Sequence, residues 1–253
     1  MFPLFTYGQT ANEYLDSGNA KSELKDYNGA ITDYTKAIEL DPDDADAYSN
    51  RGLSKSELKD YNGAIADFTK AIELNPDNID LFFNRALAKS ILKDYNGAIA
   101  DYTKAIELDP DDATAYLSRG FSKIELNDNY GAITDFNKAI SLDPNDARAY
   151  YSRGLAKKDY NEAIADYTKA IELDPDYANS YLNRGISKIK LNDNYGAITD
   201  LSKVISLDPN DARAYKMRGI SKENLGQPYC SDYKMACDLG ESRCCEWYNN
   251  QCR

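Results

Sequence analysis

The sequence predicts an all-helical protein that repeats one pair of helices along its length. Six prolines recur at intervals of 34, 34, 34, 31 and 34 residues, each inside a Leu-Asp/Asn-Pro phrase: Pro42, Pro76, Pro110, Pro144, Pro175 and Pro209. Between the prolines, apolar residues fall on one face of a helix. A period of this size indicates stacked helical units that each bury an apolar face against a neighbour.

The repeat period divides the chain into an N-terminal segment, seven repeats and a capping helix. The segment covers residues 1–10, and the cysteine-rich capping helix covers residues 241–253. The repeats cover residues 11–44, 45–78, 79–112, 113–146, 147–177, 178–211 and, in degenerate form, 212–240. The fifth repeat is three residues short, and we expect its first helix to be trimmed.

Each repeat contains the pattern of two helices. The second half of the first repeat carries a one-sided apolar stripe: Ala30, Ile31, Tyr34, Ala37, Ile38 and Leu40. Asp26 stands where this helix begins and is a good N-cap residue, whereas Pro42 ends the helix because proline cannot continue the hydrogen-bond ladder. The first half has fewer large apolar residues and keeps a small one, such as Gly52, where two helices approach closely.

The repeated positions resemble the tetratricopeptide repeat. In the second repeat the pattern consists of Tyr48, Gly52, Tyr61, Ala64, Phe68, Ala71 and Pro76. The resemblance covers most of the chain and implies a right-handed superhelical solenoid of antiparallel helix pairs. It also implies that a peptide or a helix binds in a concave groove lined by the first helix of each pair.

Composition favours an interaction protein without catalysis. The chain has no histidine, so it lacks the commonest general base and the usual zinc ligand. We expect no cofactor, no metal and no catalytic residues. The net charge of -12 argues against a nucleic-acid partner and favours a basic one. No stretch has the roughly 18 consecutive apolar residues of a membrane span.

The candidate groove residues are those that the resemblance places on the exposed face of the first helices. Repeats one and two are mostly polar there, whereas repeats three to six are apolar: Phe83, Leu87, Ile91, Leu117, Phe121, Ile124, Tyr151, Leu155, Leu182, Ile186 and Ile189. These residues predict a partner with apolar side chains. The alternative is that neighbouring first helices bury most of them against each other.

Opposite charges recur at two fixed positions of the repeat. An arginine precedes the small residue of the first helix in repeats two to seven: Arg51, Arg85, Arg119, Arg153, Arg184 and Arg218. An aspartate precedes the core residue of each second helix: Asp33, Asp67, Asp101, Asp135, Asp166, Asp200 and Asp232. We expect the two sets to form ion pairs, either within a repeat, as Arg51 with Asp67, or between repeats, as Asp33 with Arg51. The alternative pairs each aspartate with the lysine three residues later, as in Asp33 with Lys36.

All five cysteines lie in the last 24 residues. In an antiparallel hairpin, residues at equal distances from the turn are neighbours, and both 230 + 252 and 237 + 245 equal 482. We therefore expect disulfides between Cys230 and Cys252 and between Cys237 and Cys245, with Cys244 free. A reduced, buried set of cysteines or a four-thiolate zinc site are the alternatives.

The N-terminal segment and the cysteines indicate where the protein is located. Residues 1–10 resemble the end of a signal peptide, and with the cysteines they favour a periplasmic or secreted protein over a cytoplasmic one. The function we expect is a non-catalytic scaffold for protein interactions. The alternative is a structural or redox-responsive element that acts through the C-terminal cysteines.

Overall fold

The computed structural model describes residues 9–252, which form fifteen helices and no strand. The expected segment 1–10 therefore lies outside the described residues except for its last two. The helices of the first four repeats are α1 (Ala11–Glu23), α2 (Tyr27–Leu40), α3 (Ala45–Glu57), α4 (Tyr61–Leu74), α5 (Ile79–Ile91), α6 (Tyr95–Leu108), α7 (Ala113–Glu125) and α8 (Asn129–Leu142). The remaining helices are α9 (Ala147–Ala156), α10 (Tyr160–Leu173), α11 (Ala178–Lys190), α12 (Asn194–Leu207), α13 (Ala212–Asn224), α14 (Cys230–Asp238) and α15 (Ser242–Gln251).

The chain separates into two compact units. Unit 1 ends at Asp128 and contains α1 to α7, and unit 2 begins at Asn129 and contains α8 to α15. Within each unit, consecutive helices pack against each other as the repeat pattern predicts. The all-helical fold of repeated helix pairs that the sequence predicts is confirmed.

Aspartates cap most of the helices, and a left-handed residue joins the two helices of most pairs. Asp60 accepts a hydrogen bond from the backbone N–H of Gly63 at 3.0 Å, which satisfies an otherwise unpaired amide of α4. The preceding residue, Lys59, has φ 64° and turns the chain out of α3. In the fifth repeat the deletion removes this turn residue, and α9 has 10 residues where α11 has 13. The expected trimming of the first helix is confirmed.

Small residues allow the two helices of a pair to touch. A Cβ atom added at Gly52 would lie 2.8 Å from a ring carbon of Phe68, so a larger residue would have to displace this ring. Phe68 belongs to a buried cluster with Ala64, Ala71 and Leu81, and Leu81 comes from the next repeat. The core of unit 1 therefore continues from one repeat to the next.

The repeated arginines and aspartates form ion pairs, as expected, and of the two expected arrangements the structure has the one within a repeat. Contacts of 2.6 to 2.7 Å join Arg51 to Asp67, Arg85 to Asp101, Arg153 to Asp166, Arg184 to Asp200, and Arg218 to Asp232. The alternative pairing on one helix is wrong for Asp33, which contacts Lys21 at 2.6 Å, while Lys36 contacts Glu39. Arg119 donates a hydrogen bond to Thr103 of the preceding repeat.

Two disulfides close the C-terminal hairpin. They join Cys230 to Cys252 and Cys237 to Cys245, with Cα separations of 5.7 and 4.7 Å, and leave Cys244 as a buried thiol. The expected pairing is confirmed. Because the disulfides use four of the five sulfurs, they exclude the four-thiolate zinc site. The ring of Trp247 packs against Tyr233 at a centroid distance of 5.2 Å and fixes the capping helix on the last repeat.

Candidate peptide-binding surfaces

The first-helix surface of unit 1 exposes most of the apolar residues that the sequence places there. Leu87 and Ile91 are each 47% exposed and Phe121 is 39% exposed, while Phe83 and Ile124 are half-buried. Leu117 is only 5% exposed, so its expected exposure is wrong. It occupies the same position of the repeat as Phe83, which is half-buried.

The corresponding surface of unit 2 is less apolar. Leu155 is exposed, and Tyr151, Ile186 and Ile189 are half-buried. Leu182 is 5% exposed and is wrongly placed in the groove by the sequence. It lies in a buried cluster with residues of α12 and with Ala214 of the next repeat, because neighbouring helices cover this position. Both leucines are therefore buried, as the alternative expectation had it, but around Leu182 the second helix α12 takes part as well as a neighbouring first helix.

Two apolar hollows open on the surface of unit 1, one on each side of Leu87. The first has a volume of about 170 Å³ and is lined by Leu53, Tyr61, Leu87 and Ile91, with Glu57 at its margin. Because these residues come from α3, α4 and α5, the hollow spans the second and third repeats.

The second hollow has a volume of about 190 Å³ and lies between the third and fourth repeats. Its apolar lining consists of Leu87, Tyr95, Tyr102 and Phe121, and Glu125 lies among the lining residues. Both hollows are large enough for one apolar side chain and have a carboxylate nearby. Together they provide two adjacent apolar sites on one face of the unit.

The second repeat also contributes to the apolar surface, which the sequence did not predict. Leu53 is 41% exposed and lines the first hollow, although its repeat is mostly polar at the groove positions. A signal was present, since Leu53, Leu87 and Phe121 follow one another at intervals of 34 residues. The apolar surface therefore begins one repeat earlier than predicted.

The exposed charge on the first helices of unit 1 is negative. Lys55 and Lys89 lie on these helices but contact Asp67 and Asp101 of the second helices at 2.7 Å, beside the paired arginines. Among the described residues, no ion pair is formed by these first-helix carboxylates: Asp16, Glu23, Asp46, Glu57 and Asp80. The lysines of these first helices are thus paired with second-helix aspartates, whereas the first-helix carboxylates remain unpaired at the surface.

The charge has the opposite sign on the first helices of unit 2. Helices α9 and α11 contain no acidic residue, and the one acid of α13, Glu223, accepts a hydrogen bond from the hydroxyl of Tyr233 at 2.8 Å. Lys190 and Arg213 are exposed and form no ion pair within residues 9–252. Lys190 and Arg213 therefore keep their charges free of ion pairs within the described residues.

A polar cluster joins α9 and α11. The side-chain amide of Asn183 donates a hydrogen bond of 3.1 Å to the hydroxyl of Tyr151. The ring of Tyr151 lies 5.0 Å from the ring of Tyr177. Burial raises the pKa of Tyr151, and the positive charge of Arg213 opposes this rise, so Arg213 acts on the same site.

Comparison with family models identifies the repeats. A model described as "TPR repeat" matches residues 18–58, 91–123, 122–159 and 155–192, which is more than half of the chain. The chain belongs to the tetratricopeptide-repeat family. Further models described as tetratricopeptide repeats match residues 45–78, 68–100 and 178–211 of this tetratricopeptide protein. A search of curated proteins finds no match.

Solved tetratricopeptide structures share the fold. A tetratricopeptide repeat protein from Parabacteroides merdae is 22% identical with a TM-score of 0.74, covering 96% of this chain and 98% of its own. MamA is 27% identical with a TM-score of 0.61, covering 66% of this chain and 93% of its own. YrrB, described as a TPR protein with an unusual peptide-binding site, is 23% identical with a TM-score of 0.60. The match covers 72% of this chain and 96% of YrrB.

The fold is thus that of protein-interaction scaffolds, which are typically non-catalytic. No helix within residues 9–252 combines the length and apolar character needed to cross a membrane. The described side chains also form no cluster of His, Cys, Asp and Glu suited to a metal ion.

Proposed function

We propose that the protein is a non-catalytic scaffold that binds a polypeptide segment on the first-helix surface of unit 1. Two apolar side chains of the partner fill the hollows on either side of Leu87, and basic side chains lie beside the carboxylates around them. The observation that carries the proposal is the pair of adjacent apolar hollows with a shared wall at Leu87.

The chemistry of the surface supports this partner. Contiguous exposed apolar residues mark interaction sites because leaving them in water is unfavourable. Glu57 and Glu125 lie in the linings, so a lysine or arginine next to each apolar residue of the partner gains a favourable charge contact. An amphipathic helix offers this arrangement when apolar residues recur at i and i+4.

A direct test uses synthetic peptides with blocked ends and the full chain. The probe carries leucines at i and i+4 with lysines between them, and a matched peptide has serine in place of each leucine. We expect only the leucine peptide to bind. Leu87→Ser and Phe121→Ser should each weaken binding roughly tenfold, because each removes an apolar contact worth about 1.5 kcal/mol.

The control variant is Leu24→Ser, which makes the same change at a position of unit 1 that is 81% exposed and outside both hollows. Far-ultraviolet circular dichroism should be unchanged in all three variants. Equal loss of binding in the control, or unfolding of Leu87→Ser and Phe121→Ser, would show that these residues do not form a separable binding surface.

We also propose that the protein is located in an oxidising compartment. Two disulfides at the end of the last repeat are typical of periplasmic or secreted proteins, since cytosolic thiols are kept reduced. Fractionation of the native cells followed by alkylation of free thiols checks this assignment. A protein recovered from the cytosol with five reactive thiols after denaturation would contradict it.

A further inference from the structure

The capping helix carries a hollow that the proposed scaffold function does not use. It has a volume of about 350 Å³, within the range of small-molecule sites, and its described lining lies entirely on α15: Arg243, Glu246, Trp247, Asn250 and Gln251. We propose that this hollow binds a neutral saccharide, with a sugar ring stacked on the indole of Trp247 and its hydroxyls hydrogen-bonded to the polar side chains. The site lies in unit 2 and does not depend on the peptide surface proposed for unit 1.

Trp247 offers a partly exposed ring in a fixed orientation. The indole packs against Tyr233 at a centroid distance of 5.2 Å and against Tyr229 at 5.8 Å, and yet the residue is 37% exposed. Its indole N–H donates to no acceptor within residues 9–252. The face of an aromatic ring carries partial negative charge, so it attracts the C–H groups of a sugar ring. Trp247 therefore provides an apolar platform with one unused donor.

Four polar side chains lie around this ring, and the fold uses none of them. Arg243, Glu246, Asn250 and Gln251 are exposed, and their side chains form no hydrogen bond or ion pair with any described part of the chain. Their guanidinium, carboxylate and amide groups are planar and hold donors and acceptors at fixed angles. Neighbouring sugar hydroxyls, each of which donates and accepts, match such groups.

The charges of the lining favour a neutral ligand. Arg243 and Glu246 have opposite charges, so an anionic ligand would meet the carboxylate and a cationic ligand would meet the guanidinium. An apolar ligand would displace water from the polar side chains without replacing its hydrogen bonds, which is unfavourable. A saccharide has an apolar ring face and hydroxyl edges, and it therefore matches both parts of the lining.

Two disulfides hold the hollow in shape. Cys245 and Cys252 lie on either side of Trp247 along the chain and are bonded to Cys237 and Cys230 of α14. Because the lining residues belong to one helix that is anchored near both ends, they keep their relative positions. A preorganised site of this kind loses little conformational entropy when it binds a ligand.

The test uses the fluorescence of the full chain with its disulfides intact. The chain has a single tryptophan, so selectively excited tryptophan emission reports on this hollow alone. The probes are maltotriose, cellotriose and chitotriose, with sorbitol as a polyol that has no ring face. We expect at least one trisaccharide to change the emission with a saturating curve and sorbitol to leave it unchanged. Leu87→Ser in unit 1 should not alter this response, which separates it from the peptide surface.

Variants of α15 are then compared by calorimetry with the trisaccharide that binds. Trp247→Ala should weaken binding at least tenfold, and Trp247→Phe should weaken it less because a smaller ring remains. Asn250→Ala removes only an exposed amide and should weaken binding about fivefold through the loss of one hydrogen bond. The matched control is Asn249→Ala, since Asn249 is also exposed on α15 but does not line the hollow. It should leave binding unchanged, and circular dichroism checks that all variants fold.

Four results would overturn the proposal. The first two are no change of emission with any trisaccharide up to about 10 mM and an equal change with sorbitol. The third is an equal loss of binding in Asn249→Ala and Asn250→Ala. The fourth is a change of emission with protein concentration alone, because it would show that the exposed ring of Trp247 binds a second copy of the chain.

Discussion

Arg51 and Asp67 form a two-pronged ion pair between the two helices of the second repeat. Nε of Arg51 donates to Oδ2 of Asp67 at 2.9 Å, and Nη2 donates to Oδ1 at 2.7 Å. The third donor, Nη1, bonds the hydroxyl of Thr35 in the preceding repeat at 3.1 Å. One guanidinium thus connects a helix pair to its neighbour, and the same arrangement recurs at Arg85, Asp101 and Thr69.

Replacing Arg51 by alanine should destabilise the protein by about 2 to 4 kcal/mol. The carboxylate of Asp67 is 5% exposed, and removing one partner leaves a buried charge with only Lys55 to compensate it. Arg51→Lys should cost less, since it keeps the charge but loses the two-pronged geometry. Urea denaturation followed by circular dichroism measures both effects.

Lys70→Ala is the control for this prediction. Lys70 contacts Glu73 at 3.2 Å on the surface of α4, where both side chains are largely exposed. Its loss should change stability by less than about 0.5 kcal/mol. If Arg51→Ala has an equally small effect, the buried pairs do not connect the repeats energetically.

The repeat period allowed most of the fold to be predicted. The spacing of prolines and the one-sided apolar stripe determine where each helix begins and ends, because these are local properties of the chain. The cysteine pairing was also predictable, since a hairpin relates Cys230 to Cys252 and Cys237 to Cys245 by a single turn.

The exposed surface was less predictable because exposure depends on neighbouring side chains. Leu117, Tyr151 and Leu182 occupy one position of the repeat, yet the two leucines are buried and the tyrosine is half-buried. Which of the first-helix cations are unpaired was equally hard to predict from the sequence. The arginines and lysines of the first helices look available in the sequence, and only the contacts show that Lys190 and Arg213 are left unpaired in unit 2.

Ser180→Ala should stabilise the protein by about 1 kcal/mol. The hydroxyl of Ser180 is fully buried and has no hydrogen-bond partner among the described residues, so it loses its bonds to water without replacement. Alanine fits this position, since it occupies the equivalent place in four other repeats: Ala47, Ala115, Ala149 and Ala214.

The matched control for Ser180 is Ser152→Ala, also at a fully buried serine. The hydroxyl of Ser152 donates to the backbone carbonyl of Arg148 at 2.6 Å, so its removal should not stabilise the protein. Thermal unfolding monitored by circular dichroism compares the two variants. A lower melting temperature for Ser180→Ala would contradict the prediction.

Tyr177 should ionise at unusually high pH. Burial and the neighbouring Tyr151 raise the pKa of Tyr177 to about 12. Because the folded state holds this proton more tightly than the unfolded chain, the associated stability is fully present below about pH 10 and is lost as pH rises through the folded pKa. The ultraviolet difference titration between the wild type and Tyr177→Phe isolates this group. A transition near pH 10 in folded protein would contradict the prediction.

Removing the disulfide between Cys230 and Cys252 should release the end of α15 while leaving the repeats folded. This bond closes a ring with a sequence separation of 22 residues, and its loss should cost about 3 kcal/mol. Hydrogen exchange of the variant Cys230→Ser, Cys252→Ser should therefore show faster exchange at the amides of α15, with little change in α3 to α6. The variant Cys237→Ser, Cys245→Ser removes a smaller ring, with a separation of 8, and should have a smaller effect. Unchanged protection of α15 in both variants would mean that packing of Trp247 against Tyr233, and not the disulfides, holds the cap in place.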